Sequence, residues 1–189
     1  MIIERQILEE VLLLKPQIFE DDRGYFFESF KQNFFKDFGL DIKFVQDNEV
    51  YSCHAGILRG LHYQLENPQG KLVHVVSGAI RDVIVDIRTN SPDFGKSVVI
   101  NLDSKLHNMI FVPEGFAHGF ISLKNLTEVQ YKTNAYWDKD YERSLSWQDT
   151  DLKINWPLAN SNERCKIIIN DKDSIAPTFK EIKKAGDVF

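Results

Sequence analysis

The stretch Lys71-Leu72-Val73-His74-Val75-Val76-Ser77-Gly78-Ala79-Ile80-Arg81-Asp82-Val83-Ile84-Val85-Asp86-Ile87-Arg88 decides the fold. Two apolar runs rich in β-branched residues flank Ser77-Gly78, which predicts two strands joined as a hairpin. In the second run Val83, Val85 and Ile87 share one face of an extended chain, and Asp82, Asp86 and Arg88 share the other. Working outward, the same reading predicts strands over 96–102, 109–112, 118–122 and 128–133. Asn90-Ser91-Pro92, Asp103-Ser104, Pro113-Glu114-Gly115 and Lys124-Asn125 supply the turns between them. Short strands at such close, regular spacing belong to an antiparallel barrel or sandwich. Helical signals are sparse. Residues 31–38 make two turns before Gly39, and residues 177–185 make another, with Lys183 and Lys184 near the end and Gly186 after it. Residues 149–173 read as an irregular segment wrapping the barrel, so 1–189 is expected to form one domain.

Composition narrows the function. A chain of 189 residues with 43% hydrophobic and 27% charged residues is neither disordered nor collagen-like. Lysine plus arginine is 23 against 28 for aspartate plus glutamate, a net charge of −5, which argues against a general nucleic-acid binder. A local cationic pocket for one small anion remains compatible with that balance. The 14 phenylalanines suit a packed β-rich core. Cys53 and Cys165 match no metal-ligand spacing and read as reduced thiols. Residues 1–10 show no leader pattern and the longest apolar run, 11–14, is too short to span a bilayer, so the expected location is cytoplasmic, without a membrane partner.

Motifs for phosphate loops, dinucleotide folds and the G-x-S-x-G nucleophile elbow are absent from the sequence. A bound phosphate would therefore be held by side-chain cations. The five histidines, His54, His62, His74, His107 and His118, form no H-x-H or H-E-x-x-H pair. Two stand out by their neighbours. His62 lies in Arg59-Gly60-Leu61-His62-Tyr63-Gln64, with Lys71 nine residues on, and His118 follows the turn Pro113-x-Gly115. Position alone leaves open whether each ligates a metal, bonds a substrate or packs.

Pro113-x-Gly115-x-x-His118 resembles the second motif of the cupins, which are small β-barrels. The first cupin motif would supply an H-x-H metal pair, and its place holds His62-Tyr63-Gln64. That departure resembles a metal-free branch, the dTDP-4-dehydrorhamnose 3,5-epimerase family. Similarity runs through ten blocks in order. They are 22–30, 44–48, 56–64, 69–73, 82–88, 91–96, 113–120, 131–133, 151–157 and 171–173.

The resemblance implies an all-β, cupin-type antiparallel barrel (jelly roll) with a few short peripheral helices. It implies a homodimer paired through N-terminal strands, in which Arg23 completes the neighbour's site, and it implies no cofactor and no metal. The substrate would be a dTDP-linked 4-keto-6-deoxy sugar. Its C4 carbonyl acidifies C3–H and C5–H, because either carbanion is delocalised as an enolate. Epimerisation then needs a base on one face, an acid on the other and positive charge near the carbonyl oxygen. By resemblance His62 is the base, Asp173 its orienting partner, Tyr131 the acid and Lys71 the enolate stabiliser. Arg23, Glu28, Gln46, Asp47, Asn48, Arg59, His118, Trp137, Glu142 and Lys172 fall at substrate-contacting positions, with the arginines suited to the diphosphate. Trp137 would stack on the nucleobase.

On a straight strand Arg59 and His62 point to opposite faces. If both face the pocket the strand must be irregular between them, and Gly60 is where a bulge is expected. Three departures from the family are visible. The segment 49–58 appears one residue longer, Val50 stands where relatives often carry serine, and His74 and His107 look like surface exchanges for Arg or Lys. Competing readings are a C3-only epimerase, action on a different nucleotide sugar, a metal-dependent cupin such as a dioxygenase, and a non-catalytic sugar-binding cupin.

Overall fold

A computed structural model describes residues 1–8, 10–156 and 166–189. Thirteen strands are present among them: β1 (Ile2–Ile7), β2 (Val11–Lys15), β3 (Phe19–Asp21), β4 (Gly24–Phe26), β5 (Gln46–Ser52), β6 (Leu58–Gln64), β7 (Lys71–Ser77), β8 (Ala79–Asp86), β9 (Ser97–Asp103), β10 (Met109–Val112), β11 (Phe116–Ser122), β12 (Thr127–Thr133) and β13 (Glu142–Ser144). Three short helices accompany them: α1 (Gln32–Asp37), α2 (Asp171–Ser174) and α3 (Phe179–Ala185). Six strands form one sheet in the order β1-β2-β10-β7-β12-β5, and five form another in the order β13-β6-β11-β8-β9. β3 and β4 make a separate hairpin with Arg23 in its turn. The all-β jelly roll with peripheral helices is therefore present.

The hairpin expected at Ser77-Gly78 is not. β7 pairs with β10 and β12 in the larger sheet, whereas β8 pairs with β11 and β9 in the smaller one. The chain crosses between sheets at Gly78, whose φ of +81° is left-handed and whose missing Cβ would overlap Thr127. Two nearly continuous apolar runs signal strands covered on both faces, and that pattern does not say which strands cover them.

Three apolar layers follow from alternation along the strands. Between the sheets lie Val73, Val75, Ile80, Ile84, Ile110, Phe116, Phe120 and Val129. The outer face of the smaller sheet presents Leu61, Val83, Val85, Ile87 and Ile121, packed under Leu145, Leu152, Trp156 and Ile182 from later in the chain. So the apolar face of β8 points outward under this cover, and the face with Asp82 points inward. Asp149 ties the cover down, accepting from the Phe179 N–H at 2.7 Å at the start of α3. α3 begins with a Thr178/Glu181 capping box and stops at Gly186, as the sequence expects. Pro157 and Cys165 lie outside the described residues, and Cys53 is exposed and free.

The outer face of the larger sheet is covered at one end by α1, where Phe34 and Phe35 pack on Leu14, Leu72, Met109 and Phe111. His74 and His107 lie near this layer and are not surface exchanges. Phe27 meets both imidazoles at 5.8 and 5.0 Å, and Tyr25 lies 4.6 Å from His107. His107 is buried, and the His74 Nε2 is buried with no hydrogen-bond partner among the described residues. Burial, with His107 adding to it, holds the His74 imidazole below its ordinary range. A histidine depressed in the folded state contributes stability that is complete above about pH 6.5 and lost as pH falls through its lower folded value. Thermal melts across this range are expected to show a smaller loss on acidification for His74→Leu than for the unmodified chain.

Candidate active site

Gly60 and Gly119 touch across β6 and β11. A Cβ on Gly60 would stand 2.7 Å from the His118 carbonyl oxygen, and one on Gly119 would stand 2.5 Å from that of Arg59. At this contact the ladder slips. His118 faces His62 but Phe120 faces Arg59, so three steps on β6 match two on β11. The bulge expected at Gly60 is thus present, and its effect is that Arg59 and His62 both line one cavity.

That cavity, about 400 Å³, lies between the sheets. The larger sheet contributes Gln46, Asn48, Val50, Lys71 and Tyr131, and the smaller contributes Arg59, His62, Gln64, His118 and Glu142. Trp137 lines it from the loop between β12 and β13, and Asn170 and Asp173 line it from the start of α2. α2 has only four residues and was not expected. The Asn170 side chain caps it by accepting from the Asp173 N–H at 2.7 Å.

Asp173 joins β6 by two bonds. Its Oδ1 lies 2.7 Å from His62 Nε2, and its Oδ2 accepts the Gly60 N–H at 3.0 Å. Burial pushes this carboxyl up, but the bonds from His62 and Gly60 outweigh it and hold it below the usual range. An ionised carboxylate only accepts, so His62 Nε2 carries the hydrogen and Nδ1 is left with a free lone pair when the ring is neutral. A second pair sits alongside, with His118 Nε2 2.8 Å from Asp82 Oδ2.

Lys71 is buried and donates to the His62 carbonyl oxygen at 3.4 Å. Burial lowers it to about 8, partly offset by Asp82 and Glu142, so the ammonium form prevails at neutral pH. Burial also raises the Tyr131 phenol, with Glu142 adding to the effect, which keeps it protonated. Three polar atoms near the cavity, Asn48 Nδ2, Arg59 Nε and Asp82 Oδ1, are buried with no partner among the described residues. Such groups are costly unless something bonds them. Burial pushes Glu142 up, but the bond and charge of Lys172, with His62 and Trp137, together outweigh it and hold it low.

Four residues implied by the resemblance do not line the cavity within one chain. Asp47 points outward to Lys132 Nζ at 2.7 Å, because three consecutive strand residues cannot share a face with Gln46 and Asn48. Arg23 is almost fully exposed and bound to Asp21, and Glu28 is exposed beside Lys31. Lys172 lies outside the lining and pairs with Glu142, which is part of it. Conversely, Gln64, Gln69, Asn170 and Phe120 line the cavity and Asp82 supports it, although none was singled out. For Asn170 the signal was there: an Asn three residues before Asp173 at a helix start.

A family model described as dTDP-4-dehydrorhamnose 3,5-epimerase matches residues 5–181. A dTDP-4-dehydrorhamnose 3,5-epimerase of Shigella flexneri is 46% identical over 168 residues, covering 88% of this chain and 89% of its own. A dTDP-6-deoxy-D-glucose-3,5-epimerase of Legionella pneumophila, solved in complex with dTDP-4-keto-L-rhamnose, superposes with a TM-score of 0.90. It is 37% identical, with 97% of this chain and 95% of that one covered. A 3'-monoepimerase from Streptomyces bikiniensis, solved in complex with dTDP-quinovose, gives a TM-score of 0.87 at 31% identity, covering 96% and 89%. The fold and cavity define a sugar epimerase of the cupin type. The chain belongs to the dTDP-4-dehydrorhamnose 3,5-epimerase family.

A buried ammonium held down to about 8 destabilises the fold, by up to about 3 kcal/mol at neutral pH. This destabilisation is complete below about pH 8 and fades as pH rises towards the ordinary lysine value of about 10.4. Lys71→Met is therefore expected to raise the melting temperature at neutral pH, and the gain should shrink as pH rises from about 8 towards 10.4.

Proposed function

We propose that the chain epimerises C3 and C5 of dTDP-4-dehydro-6-deoxy-glucose, giving dTDP-4-dehydro-L-rhamnose. The observation that carries this reading is the His62–Asp173 pair on one wall of a cavity whose opposite wall supplies Tyr131. The ring sits between them. His62 Nδ1 removes the proton from C3 or C5, and Asp173 stabilises the imidazolium that forms. The electron pair moves into the C4 carbonyl, and the enolate oxygen is stabilised by the Lys71 ammonium. Collapse of the enolate takes a proton from the Tyr131 hydroxyl on the other face, inverting the centre, and solvent restores both groups. Arg59 bonds the diphosphate, Gln46, Asn48, His118 and Glu142 bond the sugar and nucleotide, and Trp137 stacks on the base.

This chemistry acidifies carbon through the substrate's own ketone and calls for no metal or redox cofactor. Gln64, standing where the H-x-H motif would place its second histidine, supports that reading. No helix among the described residues is long and apolar enough to cross a membrane, and a cytoplasmic setting fits a soluble nucleotide sugar.

The chain acts as a homodimer. The β3–β4 hairpin exposes Phe19, Tyr25 and Phe26, and holds Arg23 away from its own cavity. In a pair it brings Arg23 and Glu28 to the neighbour's cavity. Light scattering should give a dimer mass, and Arg23→Ala should raise KM about tenfold, as expected for one lost bond to a charged phosphate.

Incubation with the substrate in deuterium oxide tests the reaction. Deuterium is expected at both C3 and C5 by NMR, and addition of a 4-reductase should yield dTDP-L-rhamnose. Exchange at C3 alone would support the second reading, a C3 epimerase, which the similarity to a 3'-monoepimerase keeps in view. His62→Ala and Tyr131→Phe should each lower kcat by at least about a hundredfold, the usual worth of a general acid or base, while leaving circular dichroism unchanged.

A further inference from the structure

Gln64 occupies the place where the first cupin motif would put a second metal-binding histidine, and its side chain is 2% exposed. Two of its amide's three hydrogen bonds go to the loop that carries Trp137. The Nε2 donates to the Asn67 carbonyl at 2.8 Å and to the Tyr136 carbonyl at 3.1 Å. The Oε1 accepts the Asp138 N–H at 2.8 Å. One amide from the smaller sheet thus brackets Trp137 on both sides. From the larger sheet, Gln46 Oε1 accepts the Trp137 N–H at 3.1 Å. Gln69 Nε2 holds the Ala135 carbonyl at 3.0 Å. The backbone of the loop is pinned at four successive residues, yet the Tyr136 and Trp137 side chains are 70% and 52% exposed. An aromatic left in water on a rigidly held backbone is a pre-organised platform, whose ordering cost is met during folding and not on binding.

We propose that Gln64 is a positioning residue for nucleotide affinity: it fixes Trp137 at the cavity mouth and takes no part in proton transfer. This rests on the nucleotide-sugar reading above for its ligand, and goes beyond it in assigning the residue that replaces the metal ligand. Gln64→Glu keeps the shape and the acceptor but loses the donor and turns a carboxylate oxygen towards two carbonyl oxygens. A lost buried clasp of this kind lowers affinity about tenfold.

The test combines three readouts. Calorimetric titration with dTDP should give a Kd about tenfold weaker for Gln64→Glu, and KM should rise in parallel with kcat within about twofold. Acrylamide quenching of Trp137, isolated by difference against Trp137→Phe, should increase. In a Trp137→Ala background Gln64→Glu should change the dTDP Kd by less than about twofold, because the two residues act as one unit. Should Gln64→Glu fail to fold, Gln64→Met carries the same readouts. An unchanged dTDP Kd, a fall in kcat at constant KM, or additive effects of the two substitutions would each overturn the proposal. If the unmodified chain bound no dTDP, the nucleotide reading would fail, and unchanged quenching of Trp137 would separately refute the clasp.

Discussion

Two residues without side chains make the cavity possible. A regular strand alternates its faces, so Arg59 and His62 would diverge if β6 were regular. Gly60 and Gly119 let the two backbones approach until no Cβ could fit between them, and the ladder absorbs one extra residue there. The guanidinium and the imidazole then enter the same space. The Gly60 N–H, freed from regular pairing, also binds the Asp173 carboxylate that holds His62. One local departure thus aims two side chains into the cavity and anchors a third.

The charges around the cavity are arranged so that the protein carries the cost of keeping them there. Lys71 has one long hydrogen bond and little solvent, and burial pulls its ionisation down. Asn48, Arg59 and Asp82 each leave a buried polar atom unbonded. The pair of histidine–carboxylate contacts, by contrast, is well made on both sides of β11. A cavity whose histidine–carboxylate contacts are satisfied while other buried polar atoms are not favours occupation by a polar ligand over emptiness.

Much of this was legible in the chain. The strand over 109–112 is present as expected, both longer helical signals are present, and the bulge at Gly60 followed from requiring two side chains on one face. Failures share a cause. The run across Ser77-Gly78 announces strands buried on both faces, yet pairing partners are distant in sequence and leave no local trace. His74 and His107 look solvent-bound until Phe27 packs on both and Tyr25 on His107, from a segment far earlier in the chain. Asp47 was grouped with Gln46 and Asn48 by resemblance, although alternation alone separates it from them. The clasp around Trp137 was invisible because a glutamine's amide reveals nothing until its loop is placed.

The bond between His62 and Asp173 spans 111 positions of sequence. Every strand of both sheets precedes the carboxylate, which arrives on a four-residue helix docked against β6. Ribosomal synthesis runs in the same direction. A growing polypeptide can therefore assemble its sandwich while still chemically silent, and competence arrives only when the last stretch folds back across the finished scaffold.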